Sequence, residues 1–306
     1  MQQATALANR NTTTPATEQG LFGKFHVSRL DGRDAPGGDR HGARYFVIDL
    51  DNDPHATPAL RAYAEACEDD YPLLAQDLLA QIDRIELGAF VTVPETTLPS
   101  GLVVPSFQIS KFLCSQSKDG APWVDVNYHD AQAACERAGA RLITETQALA
   151  IAHDIAQQDI NWTGGKVGEG SIYQGLHKGS VSTAHGPNWE PDDADERRWH
   201  QLSNGERIYD FAGNAFTWVF DDVQGDEQGL TTKIAADSIS LTTAPYPSLE
   251  KGMGWRPDGA RDWSGDALVR GGYWDSGSDA GVFSLGDGWP DDEDDNVGFR
   301  CTKPGL

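Results

Sequence analysis

"LVRGGYWDSGSDAGVFSLGDGWPDDEDDNVGFRC", residues 268–301, has firm ends and a loose middle. At its start an apolar run meets Gly271 and Gly272, which permit close backbone approach before Trp274, a side chain expected to pack inward. At its end Val297 to Cys301 reads as a short closing strand. The residues between are small, polar or acidic and follow no helical period. A fixed frame around a nearly arbitrary interior is the pattern that any reading of this chain has to explain.

Working outward, "DFAGNAFTWVFD" places Gly213 and Asn214 where a left-handed turn is expected, then alternates Phe216 and Trp218 with Thr217 and Val219 as a strand entering the core. "SFQISKFLCS" carries a strand signal through Phe107, Ile109 and Lys111. "HDAQAACERAGARL" puts Ala131, Ala134, Cys135 and Ala138 on one helical face and stops at Gly139. "TETQALAIAHDIA" opens with Thr144 and Gln147, the spacing of a capping box. No further long helix is expected out to Leu306.

The N-terminal part differs. Residues 1–20 lack an apolar period and are expected to form a mobile tail. "KFHVSRL" and "ARYFVIDL" have strand patterns separated by the loop "DGRDAPGGD". A helix is expected with Thr57 as N-cap and Pro58 at its first position, its face formed by Leu60, Tyr63, Ala64 and Cys67. A second starts near Pro72 with Leu74, Leu78 and Ile82. These elements predict a small N-terminal unit over 21–88, a linker over 89–100 rich in proline, and a second domain over 101–306.

Composition narrows the function classes. The 306 residues are 39% hydrophobic and include nine tryptophans, so the chain is expected to bury a core. The formal charge of −23, with no run of Lys or Arg, argues against nucleic acid as a partner. Cys67, Cys114, Cys135 and Cys301 show no metal-ligand spacing and are expected as reduced core residues. The N-terminus lacks the basic start and apolar core of a secretory signal, and no segment has the length of a membrane span. The product is therefore expected to be unanchored, without membrane insertion, and cytoplasmic or virion-associated.

Taken in order, "FQISKF", "VNYHDAQAACERAGARLITETQ", "IYDFAGNAFTWVFD", "ALVRGGYW" and "NVGFRC" resemble the formylglycine-generating-enzyme type of C-type lectin fold. The resemblance covers about residues 101–306 and implies an α+β domain with few regular elements, whose ends meet in one sheet. The fold hosts enzymes and binders, so function has to come from the site.

Oxidase members of the family hold copper through paired cysteines shortly after the RGG motif. Here that neighbourhood is "YWDSGSDAGVF", which contains no cysteine, and Cu(I) needs soft thiolate ligands. An enzyme of this type, or one using another metal, is the alternative reading. A second branch attaches a three-histidine iron domain; His26, His41 and His55 are the upstream candidates, but they are widely spaced with no HxxxH pattern.

The third branch is the variable protein of diversity-generating retroelements, in which a reverse transcriptase copies a template with errors at adenines and overwrites the final gene segment between fixed flanks. Mutating the first two bases of an AAC codon gives Tyr, Asp, Ser, Gly or His without a stop. Tyr273, Asp275, Ser276, Ser278, Asp279, Ser284, Gly286, Asp287, Gly288, Asp291, Asp292, Asp294 and Asp295 are reachable this way, and with Trp289 they form the candidate ligand-contacting set over a variable region of 268–301. Trp289 and Glu293 cannot arise from AAC by adenine changes alone. Trp274, Ala280, Val282, Phe283 and Leu285 are expected as scaffold.

The resemblance thus implies a receptor with no catalytic residues and no required cofactor, recognising a protein or cell-surface ligand. Tyr273 and Trp289 would anchor it, and the acidic residues would favour a cationic target. Calcium is the rival reading of "DGWPDDEDDN", but the twelve-residue loop pattern fails: Asn296 stands at the turn glycine and Thr302 at the closing glutamate.

Overall fold

A computed structural model describes residues 11–15, 18, 20, 24–50, 53, 55–82, 89–117, 119–225 and 230–305. The chain divides into two compact units, at Ile82 and Asp83. Most of the expected tail and the segment 83–88 lie outside the described residues.

In the first unit the two expected helices form, α1 (Ala56–Cys67) and α2 (Pro72–Ile82). His55 occupies the N-cap position, so Thr57 and Pro58 fall inside the first turn rather than opening it. The helices meet through small side chains: Ala64, Cys67 and Ala75 are buried, with Leu78 and Leu79 packed against them. That close approach leaves Tyr63 and Leu74, expected on the inward faces, exposed. The two expected strands do not form. Residues 24–29 and 43–49 form no regular secondary structure, and Phe25, Leu30 and Phe46 are exposed. An isolated two-stranded ribbon is marginal when nothing covers its apolar face, so the strand-like composition goes unused.

The second unit opens with β1 (Phe90–Val93), followed by a hairpin of β2 (Thr96–Thr97) and β3 (Val103–Val104), and then β4 (Phe107–Ser110). Val91 and Val93 point inward and pair with Ile109 and Phe107. The span expected as a linker is therefore part of the domain. Its prolines, Pro94 and Pro99, and Pro105 just beyond it, fall between strands, where a missing N–H breaks no ladder.

Next come α3 (Tyr128–Arg137), β5 (Arg141–Leu142) and α4 (Glu145–Ala156). Asn127 caps α3 by accepting the Asp130 N–H at 2.8 Å. The Thr144 capping box forms, with Gln147 Oε1 accepting the Thr144 N–H at 3.0 Å. After a hairpin of β6 (Trp199–Gln201) and β7 (Arg207–Tyr209), the chain forms β8 (Phe216–Val219), the single turn α5 (Ile239–Thr242), β9 (Ala267–Arg270), β10 (Leu285–Gly288), β11 (Val297–Phe299) and β12 (Cys301–Pro304).

Two four-stranded sheets organise the unit, in the orders β1-β4-β12-β5 and β10-β9-β8-β11. Both β1 and β12 flank β4, which is the expected meeting of the domain's ends in one sheet. Gly213 and Asn214 take positive φ, 70° and 67°, and turn the chain into β8. Trp218 is buried there and donates its indole N–H to the Val126 carbonyl at 2.8 Å. Arg270 at the end of β9 donates from Nε to Glu145 Oε2 at 2.7 Å, and a second bond joins Arg270 Nη2 to Glu145 Oε1. Both side chains are nearly fully buried, so the first turn of α4 is locked to the sheet that carries the loose segment.

Candidate functional site

The loose segment leaves β9 at Gly271, makes a compact turn over Tyr273–Ala280, returns as β10, and crosses an acidic loop to β11. The turn is braced internally and from a neighbouring strip. The Tyr273 N–H donates to Ser276 Oγ at 2.8 Å and the Ser276 N–H to the Tyr273 carbonyl at 3.1 Å. From the strip, Gln174 Nε2 donates to the Ala280 carbonyl at 2.6 Å and the Gly179 N–H to the Trp274 carbonyl at 2.9 Å, while the Gly277 N–H donates to the His177 carbonyl at 2.7 Å. Gly272 takes φ of 85°, and a Cβ there would fall 2.6 Å from Ala280 Cα, so the backbone crosses itself where only glycine fits. The expected scaffold residues Ala280, Val282, Phe283 and Leu285 are buried. Trp274 is half-buried, less inward than expected.

Beside this turn lies a pocket of about 240 Å³. Six of the candidate residues line it: Tyr273, Asp275, Ser276, Asp279, Ser284 and Gly286. Phe216, Trp255 and Leu285 complete the wall. Asp275 and Asp279 are exposed, Tyr273 and Ser276 half-buried, and Ser284 lies at the floor with 3% exposure. Phe216 and Tyr273 stand with ring centres 5.5 Å apart. Trp255 is held between the two arms of the segment: its N–H donates to the Asp279 carbonyl at 2.9 Å and its carbonyl accepts from the Leu285 N–H at 2.8 Å. The reading of the sequence missed Phe216, taken as a core strand residue, and Trp255, which sits in an irregular segment with no motif around it.

The other candidates lie elsewhere. Ser278 is exposed on the turn, where its carbonyl accepts from Gln174 Nε2 at 3.4 Å. Asp287 sits on β10 beside Asp266. Burial and the hydrogen bond with that second carboxyl push its pKa up to about 6. Gly288 departs from the expectation of a free position: a Cβ there would fall 2.9 Å from Cη2 of the buried Trp218 ring, so packing fixes it.

Trp289, at 69% exposure, and Asp291, Asp292, Asp294 and Asp295 form an exposed loop. Its backbone is pinned while its carboxylates are not buried. The Pro290 carbonyl accepts the Tyr128 N–H at 3.0 Å and the Asp294 carbonyl accepts the Asp125 N–H at 2.9 Å.

Three of the four cysteines expected as reduced core residues meet in the core. Cys301 Sγ lies 2.6 Å from Cys135 Sγ and 3.4 Å from Cys114 Sγ, and all three are free thiols. Sequence separations of 166 and 187 residues hid the cluster. Each thiol is at 2% exposure or less, Cys135 on α3 and Cys301 on β12, and burial pushes the Cys135 thiol above its ordinary pKa. Thiols without solvent access do not serve as nucleophiles. The site after Arg270 offers carboxylates, hydroxyls and aromatics, a donor set that does not fit Cu(I). Among the described residues no group of three or more His, Cys, Asp or Glu stands in an arrangement that could hold a metal ion. His26, His41 and His55 are exposed and separate. No described helix is long and apolar enough to cross a membrane.

Comparison with known proteins places this geometry in a family. No curated protein matches the sequence. Among solved structures, Treponema denticola variable protein 1 is similar at a TM-score of 0.40 and 14% identity, over 71% of this chain and 92% of that one. PvdO from Pseudomonas aeruginosa is similar at 0.37 and 14%, over 72% and 93%. The Major Tropism Determinant M1 variant is similar at 0.35 and 14%, over 69% of this chain and 52% of that one. The model of the sulfatase-modifying factor enzyme 1-like domain matches residues 105–304, two-thirds of the chain from β4 to the closing strand, and the protein belongs to that family.

Proposed function

We propose that the protein is a non-enzymatic receptor, the variable protein of a diversity-generating retroelement, whose segment 268–301 presents exchanged side chains to a protein or cell-surface ligand. The observation that carries this reading is the pocket: six residues chosen by codon logic line one concavity, and the scaffold residues between them are buried. A framework held by the Glu145–Arg270 pair and the braced turn lets rim residues change without unfolding the domain, as in an antibody paratope. The buried thiols and the donor set after Arg270 count against an oxidase of the family's copper type. A place in the cytoplasm or on a virion fits this role, with the N-terminal helical unit as the attachment to a larger assembly.

The test is the nucleotide sequence beside the gene, searched for a near-copy of the segment encoding residues 268–301 next to a reverse transcriptase. A copy that differs only opposite its adenines is the expected result. A copy differing at other bases, or none at all, removes the retroelement from the reading, and copper-dependent oxidation of a cysteine-containing peptide by the purified protein would replace it with the enzyme.

A further inference from the structure

The pocket is built for one kind of side chain, and we infer that it receives the guanidinium of an arginine projecting from the partner; this rests on the receptor reading above. Size is the first argument. The pocket has a volume of about 240 Å³. That falls below the roughly 300–1,000 Å³ of sites that enclose small-molecule ligands, and suits a single long side chain.

Charge is the second argument. Asp275 and Asp279, both exposed, line the pocket, no Lys, Arg or His is among the lining residues, and the chain as a whole carries −23. An anionic or neutral side chain would meet two carboxylates with nothing to pair them. A cation gains from both, and the field of the whole molecule speeds its approach.

The shape of the wall decides among cations. Phe216, Tyr273 and Trp255 place three aromatic residues in the wall, and backbone hydrogen bonds tie Trp255 to both arms of the segment. A planar guanidinium stacks on such rings while its edge donates to carboxylates, whereas a compact, strongly hydrated ammonium gains less from the faces. The domain already uses this geometry internally: the Arg197 guanidinium lies 3.8 Å from the ring centres of both Tyr173 and Trp199. At the floor, Ser284 and the backbone near Gly286 leave room for the tip of the inserted chain.

The experiment is a titration of the full chain with N-acetyl-arginine amide, read by tryptophan emission, beside the citrulline, lysine and tetramethylammonium counterparts. Arginine amide is expected to saturate the signal and to weaken with added salt. Citrulline and the Asp275→Asn/Asp279→Asn variant are each expected to cost about tenfold or more through lost charge-assisted contacts, and Tyr273→Ala about as much through the lost stacking surface. These side chains are exposed or half-buried, and an unchanged melting temperature shows that each variant is folded. Absence of saturation, equal binding of citrulline, or lysine or tetramethylammonium binding as well as arginine overturns the inference. A peptide-display selection on the same protein separates it from the receptor reading. Binders lost on Tyr273→Ala or Trp289→Ala but indifferent to their own arginines overturn the arginine pocket and leave the receptor. A selection with no binder sensitive to either substitution overturns both.

Discussion

Replacing Glu145 with Gln leaves the Arg270 guanidinium charged, 4% exposed and without its carboxylate. Removing one partner of a buried ion pair costs about 3–5 kcal/mol, because the remaining charge stays desolvated. For a domain of this size each kcal/mol moves the melting temperature by about 2–4 °C, so Glu145→Gln is expected to lower it by roughly 6–20 °C. Chemical denaturation followed by tryptophan fluorescence and by circular dichroism measures the same loss, provided the two signals coincide.

The paired replacement Glu145→Leu with Arg270→Met is expected to recover most of that loss, since apolar residues of similar volume remove the stranded charge. Arg270 Nη1 also reaches the Phe283 and Ser284 carbonyls at 3.3 and 3.4 Å, so the single variant frees the pocket floor as well and should weaken any ligand that enters it. A loss below about 1 kcal/mol for Glu145→Gln, the value of an exposed pair, would refute the argument that this clasp holds the framework.

Four further outcomes are expected. Asp275→Ala, Asp279→Ala and Asp292→Ala, all on exposed side chains, should each stay within about 0.5 kcal/mol of the parent, whereas Trp218→Ala should cost about 3–5 kcal/mol by thermal melting; a large shift from the aspartates would count against a tolerant surface. Gly288→Ala should cost about 1–3 kcal/mol by overpacking against Trp218, and a neutral result would return Gly288 to the variable set. The Asp287 pKa is raised in the fold to about 6, so its contribution is fully present below the unfolded value near pH 4 and is lost as pH rises through about 6. Asp287→Asn should therefore melt higher than the parent at pH 7.5 and equal to it at pH 4, the gain staying below about 1 kcal/mol because solvent screens the pair. Cys114, Cys135 and Cys301 should react with a thiol reagent only after denaturation, and prompt labelling of the native protein would contradict their burial.

Where local chemistry fixes structure, it was visible in the sequence. The Thr144 capping box, the small-residue face of α3, and the left-handed turn at Gly213 and Asn214 all follow from short-range rules. The N-terminal strands were misread because strand-like composition needs a partner ladder, which composition does not supply. Val91 and Val93 did carry an alternating signal, but three nearby prolines masked it as a linker. The pocket was half legible. Codon logic singled out six of the residues in its wall, while Phe216 and Trp255 are invisible to it, brought in from 57 and 18 residues before Tyr273. The thiol cluster could not be read at all, since nothing in spacing reports which inward faces touch.

The position of β12 sets a condition on the segment that precedes it. This strand lies between β4 and β5, pairing Thr302 with both Ile109 and Arg141. A chain that stops anywhere within residues 268–300 lacks it. Two strands made early in synthesis are then left with unpaired edges, and the thiol cluster loses its central member. Long-range pairing of this kind forms late, so a truncated product stays open and prone to proteolysis or aggregation. Closure of the domain thus waits for its last strand: only a chain translated through the whole segment 268–301 completes both sheets.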